Sequence, residues 1–233
     1  MRKIIVFLFI CSIFAAKAQN IAEYNLKLSN FTELNVTDNV NVVYHSSEDS
    51  TSYAHFACIP DVSSHILFTQ DKAKLHIQVD FTEISAKDIP TVHVYSPALT
   101  KVENAGDSTI TITPIATTQP LKIRIVGNGG IVVEEIEATQ IDAGINTGKG
   151  HINLSGTTSK LKLSNVGTGA IEAGNLYART VKVVQLGTGN IDCRATESIS
   201  IYGAGSGTVY YTGHPEKVSN RSLGIKAVEI SDQ

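Results

Sequence analysis

The chain has 233 residues, of which 18% are charged, with a formal net charge of −3 and no Trp. Acidic and basic residues are interspersed, so the composition points to neither nucleic acid nor anionic lipid as a partner. With only 3 cysteines it is not a disulfide scaffold, while abundant Thr, Ser, Gly, Ile and Val suit short strands and tight turns.

At the start, Arg2 and Lys3 precede an apolar run at 4–15 and the small-x-small sequence Ala16-Lys17-Ala18. This is the layout of a signal peptide over 1–18, with the mature chain expected to begin at Gln19. The apolar run is too short to span a bilayer, which takes about 20 residues. Lipid attachment at Cys11 is not expected, because Phe9 and Ile10 precede it where a small residue is needed. The expected destination is the periplasm, the outer cell surface or the medium, with no transmembrane segment after cleavage. Cys58 and Cys193 then remain, one in each half, and are expected as free buried thiols although export permits a disulfide.

Residues 19–105 read as a β subdomain. Asn35 to Tyr44 alternates through Val36, Val40 and Val42. A short apolar run comes next at Ile66-Leu67-Phe68, and clean alternation returns at 75–79 and 91–95. Asp71-Lys72 reads as a turn. These strands are expected to form an antiparallel or mixed cover over one end of the repeats downstream, since an open solenoid end exposes core and unpaired backbone.

From residue 106 onward a Gly-x-Gly-x-(Ile/Val) turn recurs. It begins at Gly127, Gly148, Gly167, Gly187 and Gly205, in steps of 21, 19, 20 and 18 residues. The second glycines are Gly129, Gly150, Gly169, Gly189 and Gly207, and a degenerate copy starts at Gly106. A repeat this short means a solenoid of about 20 residues per coil, each coil burying its apolar side against its neighbours. Aligned on the turns, Ile131, Ile152, Ile171, Ile191 and Val209 form one inward column. Val133, Leu154, Ala173, Cys193 and Tyr211 form a second. Alternation before the turn (Leu161 and Leu163, Val181 and Val183, Ile199 and Ile201) gives a strand, a bend and another strand per coil. The coil ending at Gly148 is out of step by one residue, which predicts a bulge. Glycine is expected at the turns for positive φ and for close approach to the next coil, and Thr168, Thr188 and Ser206 for a ladder of hydroxyls. The far end changes character at Gly213-His-Pro215 and closes with a strand near 225–230.

Three groups of residues carry the resemblance to a known family. They are the stretch Val94-Tyr-Ser-Pro-Ala-Leu99, the Gly-x-Gly-x-Ile copies, and the signature Gly205-Ser-Gly-Thr-Val-Tyr-Tyr-Thr-Gly213 with Ser219-Asn-Arg-Ser-Leu-Gly224. The chain resembles the head-GIN-domain family of auto-transporter adhesins of Gram-negative bacteria over nearly its whole mature length. Leu223 departs from the pattern, where a small polar residue is expected. The resemblance implies a right-handed, β-helix-like fold and a cell-envelope location. It supplies no catalytic residues.

Specific chemistry is sparse. The segment from Gly144 to Gly150 lacks P-loop spacing and the Ser/Thr that would hold magnesium. The turns lack the aspartates of calcium-binding β-rolls. The seven histidines show no ligand spacing, so no cofactor and no metal is expected. Glu134, Glu135 and Glu137 read as a solvated turn. Glu172 and Asp192 share an outward column with Lys162 and Lys182 on the preceding strand. Tyr210 points outward and Tyr211 inward. Glu172, Asp192 and Tyr210 are the surface-binding candidates, and the ten glycines from Gly127 to Gly207 are structural. The leading expectation is a non-catalytic, exported envelope protein that binds a surface protein or glycan. The alternatives are a carbohydrate-active enzyme using Glu172 and Asp192, or a purely structural envelope protein.

Overall fold

A computed structural model of the chain describes residues 21–47, 51–82 and 84–231, so the signal-peptide segment and its cleavage site lie outside the described residues. The described residues are 66% strand and 3% helix, and build a β-solenoid of about 6 turns with coils roughly 20 residues apart.

The first part supplies β1 (Ala22–Leu28), β2 (Glu33–Val36), β3 (Val42–Ser46), β4 (Ser52–Cys58), β5 (Ile66–Asp71), β6 (Lys74–Val79), β7 (Val92–Ser96), β8 (Lys101–Asn104), β9 (Thr109–Ile112) and β10 (Ile115–Thr117). The second supplies β11 (Leu121–Val126), β12 (Gly130–Thr147), β13 (His151–Asn165), β14 (Ala170–Gln185), β15 (Ile191–Ala204), β16 (Thr208–Thr212), β17 (Lys217–Leu223) and β18 (Lys226–Glu229). The long strands β12 to β15 each bend round the solenoid and contribute to three faces.

The first face stacks β6, β2, β8, β11, the later parts of β12 to β15, and β17, all parallel. The second stacks β7, β3, β9, the opening parts of β12 to β15, β16 and β18, again parallel. The third is shorter and joins β10 to 136–138, 156–158, 176–178 and 194–195.

Both parallel sheets pass through residue 105 without interruption. The layer of β2 and β3 lies between that of β6 and β7 and that of β8 and β9, so the chain skips a layer between Ser96 and Lys101. Thr32 marks the crossing, its carbonyl accepting the Thr100 N–H at 2.8 Å and the Lys101 N–H at 3.2 Å. Beyond these layers β4 pairs antiparallel with β7, β1 with β4, and β5 with β6. That antiparallel cover closes both sheets at the N-terminal end, where unpaired parallel edges would otherwise remain.

The alternation read as one strand from Asn35 to Tyr44 is two strands joined at a corner. Asp38 takes φ 63° there and occupies the place that glycine holds in later coils, as Asp tolerates the left-handed region better than most residues. Without a glycine the corner left no mark in the pattern.

Inside, the predicted columns are buried without exception, from Ile131 to Val209 and from Val133 to Tyr211. Ala173 pairs with Cys193 and Cys193 with Tyr211, which places the thiol in the interior column. Cys58 and Cys193 are both buried and free. Burial pushes the Cys193 thiol up to about 12 and the Cys58 thiol up to about 11. The out-of-step coil holds its bulge where expected: Ile125 faces Ile145 and Val126 faces Thr147, leaving Asn146 unmatched.

The interior is not wholly apolar. Asn104, Asn165 and Gln185 are fully buried beside the Gly corners, in positions otherwise filled by Ile125 and Ile145. Their amides donate to turn carbonyls: Asn104 to Ser108 at 2.7 Å, Asn165 to Gly169 at 2.8 Å and Gln185 to Gly189 at 2.6 Å. Buried backbone carbonyls at a corner need donors, and an interior amide supplies one, although the Ser108 carbonyl also accepts the Gly130 N–H at 2.9 Å.

Candidate functional site

The glycine corners bring neighbouring coils into close approach more often than they take a left-handed backbone. Of the ten, only Gly127 (φ 146°) and Gly148 (φ 87°) have the positive φ expected of all. At Gly169, Gly187 and Gly189 a Cβ would fall on the backbone carbonyl of the corner one coil earlier, namely Gly150, Gly167 and Gly169. The corners stack so tightly that no side chain fits between them. The Thr168 hydroxyl reaches the Gly148 carbonyl at 3.4 Å, so its bond joins hydroxyl to backbone rather than hydroxyl to hydroxyl.

Glu172, Asp192 and Tyr210 do form one outward column on the second face, in register on β14, β15 and β16. Asn153 on the preceding coil donates to Glu172 at 3.1 Å. Asp192 is half-buried. Its carboxyl is held above the usual carboxylate range, first by burial and then by neighbouring Glu172, against hydrogen bonds from Cys193 and Gly174. Lys162 and Lys182 are not near this pair. They lie on the first face, where Lys162 reaches Asp142 at 3.3 Å and Lys182 sits over the Tyr202 ring. Glu134, Glu135 and Glu137 are not in a turn but within β12, across a register shift between Val133 and Ile136 that carries the strand from the second face to the third.

Two groupings had no signature in the sequence. On the second face, residues up to 50 positions apart meet as a stack of rings: Tyr53 on Tyr95 (4.2 Å), Tyr95 on His45 (4.6 Å) and His45 on His93 (5.3 Å). His45 and His93 share a hydrogen bond at 3.0 Å. Burial and His93 together hold His45 below the ordinary imidazole value, opposed by Glu134. His55 lies in mid-strand on β4. Among the described residues no three His, Cys, Asp or Glu side chains gather as a metal site.

The other grouping is a groove of about 570 Å³ along the third face. One wall is Glu137, Thr157 and Tyr177, the other Thr139, Ser159 and Arg179, with Ala138, Thr158 and Ala178 between them. Tyr177 is 53% exposed, with one side of its ring against the Arg194 guanidinium at 4.6 Å. Arg179 is held by Glu197 at 2.7 Å. Hydroxyl walls, a small-residue floor and one exposed aromatic ring are the elements with which proteins hold sugars, through apolar contact and hydrogen bonds together. The sequence singled out Tyr210, which is half-buried. Tyr177 is the more exposed ring, and only the third face, invisible in the two-strand reading of each coil, brings its neighbours to it.

Comparison with known proteins agrees on the fold. A putative adhesin from Bacteroides fragilis superposes with TM-score 0.79 at 22% identity, covering 92% of this chain and 98% of that one. A putative lipid-binding protein from Parabacteroides distasonis follows at TM-score 0.72, 17% identity and coverages of 91% and 97%. A putative adhesin from Parabacteroides merdae gives TM-score 0.64, 15% identity and coverages of 93% and 98%. No curated protein matches the chain. No helix among the described residues is long and apolar enough to cross a membrane. The family model described as "Putative auto-transporter adhesin, head GIN domain" matches residues 30–215, and with the corner repeat and the solenoid in place the chain belongs to that family.

Proposed function

We propose that the protein is exported to the cell envelope and acts there without catalysis, as an adhesin whose third-face groove holds a surface glycan. The observation that carries this reading is the groove itself, with hydroxyls on both walls and the exposed ring of Tyr177 on one of them. Membership of an adhesin family supports it, as does the stiffness of a stacked solenoid, which presents its faces at fixed spacing. A glycan and protein array probed with the wild type and with Tyr177→Ala tests it. Wild-type binding to specific glycans that Tyr177→Ala weakens about tenfold or more, a loss of about 1.4 kcal/mol, is the expected result. Binding to proteins alone, or glycan binding indifferent to Tyr177, overturns the groove assignment.

A polysaccharide hydrolase has one feature in its favour: Asp192, with its raised affinity for a proton, stands one coil from Glu172. A raised carboxylic acid beside a second carboxylate is the pairing that glycoside cleavage uses. Release of reducing ends from polysaccharides, abolished in Glu172→Gln and in Asp192→Asn, would replace the adhesin reading with that one.

A further inference from the structure

The outer side of the first face carries positive charge out of proportion to a chain of net charge −3. In one column Lys101, Lys122, Asp142, Lys162 and Lys182 follow one another in register. Arg124 and Lys160 flank it. Like charges directly opposite on neighbouring strands destabilise a sheet, yet this column stacks Lys101 on Lys122 and Lys162 on Lys182. In the first pair Lys101 is answered by Glu103 at 3.0 Å. The second pair is arranged differently. The Lys162 ammonium leans towards Asp142 at 3.3 Å, and Asp142 already accepts Arg124 at 3.0 Å. The Lys182 ammonium leans the other way, to 5.3 Å above the Tyr202 ring.

The two ammonium groups therefore splay apart, and beside them lies a cleft of about 310 Å³. Its lining includes Lys160, Lys162, Lys182, Thr180, Ser200 and Tyr202, and no carboxylate among the described residues. Three cations around one cleft, two of them stacked against their own repulsion, are a local conflict of the kind that marks functional rather than structural demands.

We propose that this cleft is a second binding site, separate from the third-face groove, which takes the acid groups of an anionic polysaccharide. A uronate or sulfate placed between Lys160, Lys162 and Lys182 relieves their repulsion, and the sugar's hydroxyls meet Thr180 and Ser200. Rows of the sheet repeat at about 4.8 Å, so an extended chain running along the solenoid axis meets one row after another. Asp142 interrupts the cationic column, which breaks the continuous positive track that a nucleic-acid backbone follows. The lining also lacks the exposed apolar anchors that a membrane surface would call for.

The test is affinity electrophoresis of the protein through gels containing polygalacturonate or dextran. Polygalacturonate should retard the wild type and dextran should not, with the affinity falling at least about tenfold between about 50 mM and about 500 mM NaCl as screening sets in. Lys160→Gln combined with Lys182→Gln should weaken retention about tenfold or more. Lys160→Arg with Lys182→Arg should keep it, as should Tyr177→Ala. Both lysines are exposed, and an unchanged melting temperature of the double glutamine variant separates lost binding from lost folding. Retention indifferent to that variant, equal retardation by dextran, or tighter binding to duplex DNA or phosphatidylglycerol vesicles overturns the proposal. Absence of polygalacturonate binding beside a positive, Tyr177-dependent glycan array sinks this site alone. The reverse pattern sinks the groove alone.

Discussion

At the scale of residues, Asp192 and Cys193 show how one pair of neighbours is treated on the two sides of the wall. The Asp192 carboxyl is raised, so the folded state holds its proton more tightly than the unfolded chain does. Its contribution to stability is then fully present below the unfolded value and is lost as pH rises through the folded one. Asp192→Asn should accordingly be more stable than the wild type at pH 7, by about 1–3 °C in Tm, and the gain should vanish towards about pH 3, below the ordinary Asp value. A variant melting lower than the wild type at both pH values would contradict this. Cys193 is fully buried, with its thiol pushed up to about 12. Thiolate is the reactive form, so a thiol reagent near pH 8 should label Cys193 only after unfolding. Fast labelling of the native protein, or a Cys58–Cys193 disulfide seen by mass spectrometry, would show the interior to be otherwise arranged.

The corners decide matters at the scale of elements. Because Gly187 has no positive φ and its Cβ would fall on the Gly167 carbonyl, even alanine is too large, and backbone strain is not the reason. Gly187→Ala and Gly187→Val should each cost about 1–3 kcal/mol, an overpacking penalty, and lower Tm by at least about 2 °C. If the alanine variant melts within about 1 °C of wild type, the corners are looser than described. The interior amides serve the same corners. Asn165→Ala removes the donor to the Gly169 carbonyl and leaves that buried acceptor unsatisfied, at a cost of about 1–3 kcal/mol. Urea denaturation reads it directly, and an unchanged midpoint would mean the carbonyl finds another partner. Leu223, the one residue out of keeping with the family signature, lies in the row just before the glycines with Val126, Val166 and Leu186. It is 77% exposed there, so its size disturbs no packing.

Over the whole molecule, each coil is stabilised by its two neighbours, so damage should spread along the axis. Gly187→Val should accelerate hydrogen exchange in β13 to β16, on both sides of the altered corner, and not in β14 and β15 alone. In the wild type β17 and β18 should exchange first, having a neighbouring layer on one side only and mostly exposed side chains. Uniform exchange from end to end would indicate a single cooperative unit. The N-terminal end should resist longer, since the antiparallel strands β1, β4 and β5 close it.

The sequence by itself determined the coil. Period-two alternation on both sides of a recurring glycine is a local property of the chain, and it predicted the inward columns, the bulge before Gly148 and the burial of Cys193. It also placed Glu172 and Asp192 in one column, because in-register stacking turns a repeat in sequence into a neighbour in space. What the repeat does not encode was decided only by the tertiary structure. The layer of β2 and β3 inserts between layers formed by later residues, and its corner at Asp38 lacks the glycine that marks the others. The rings of Tyr53, Tyr95, His45 and His93 meet through that insertion. The third face, with Tyr177 and its hydroxyl walls, depends on where each long strand bends, which is set by register shifts at Val133, Asn153 and Ala173 rather than by residue type. The lysines of the first face look interspersed with acids along the chain. Stacking residues about 20 apart gathers the like charges into one column, and that arithmetic is performed by the fold.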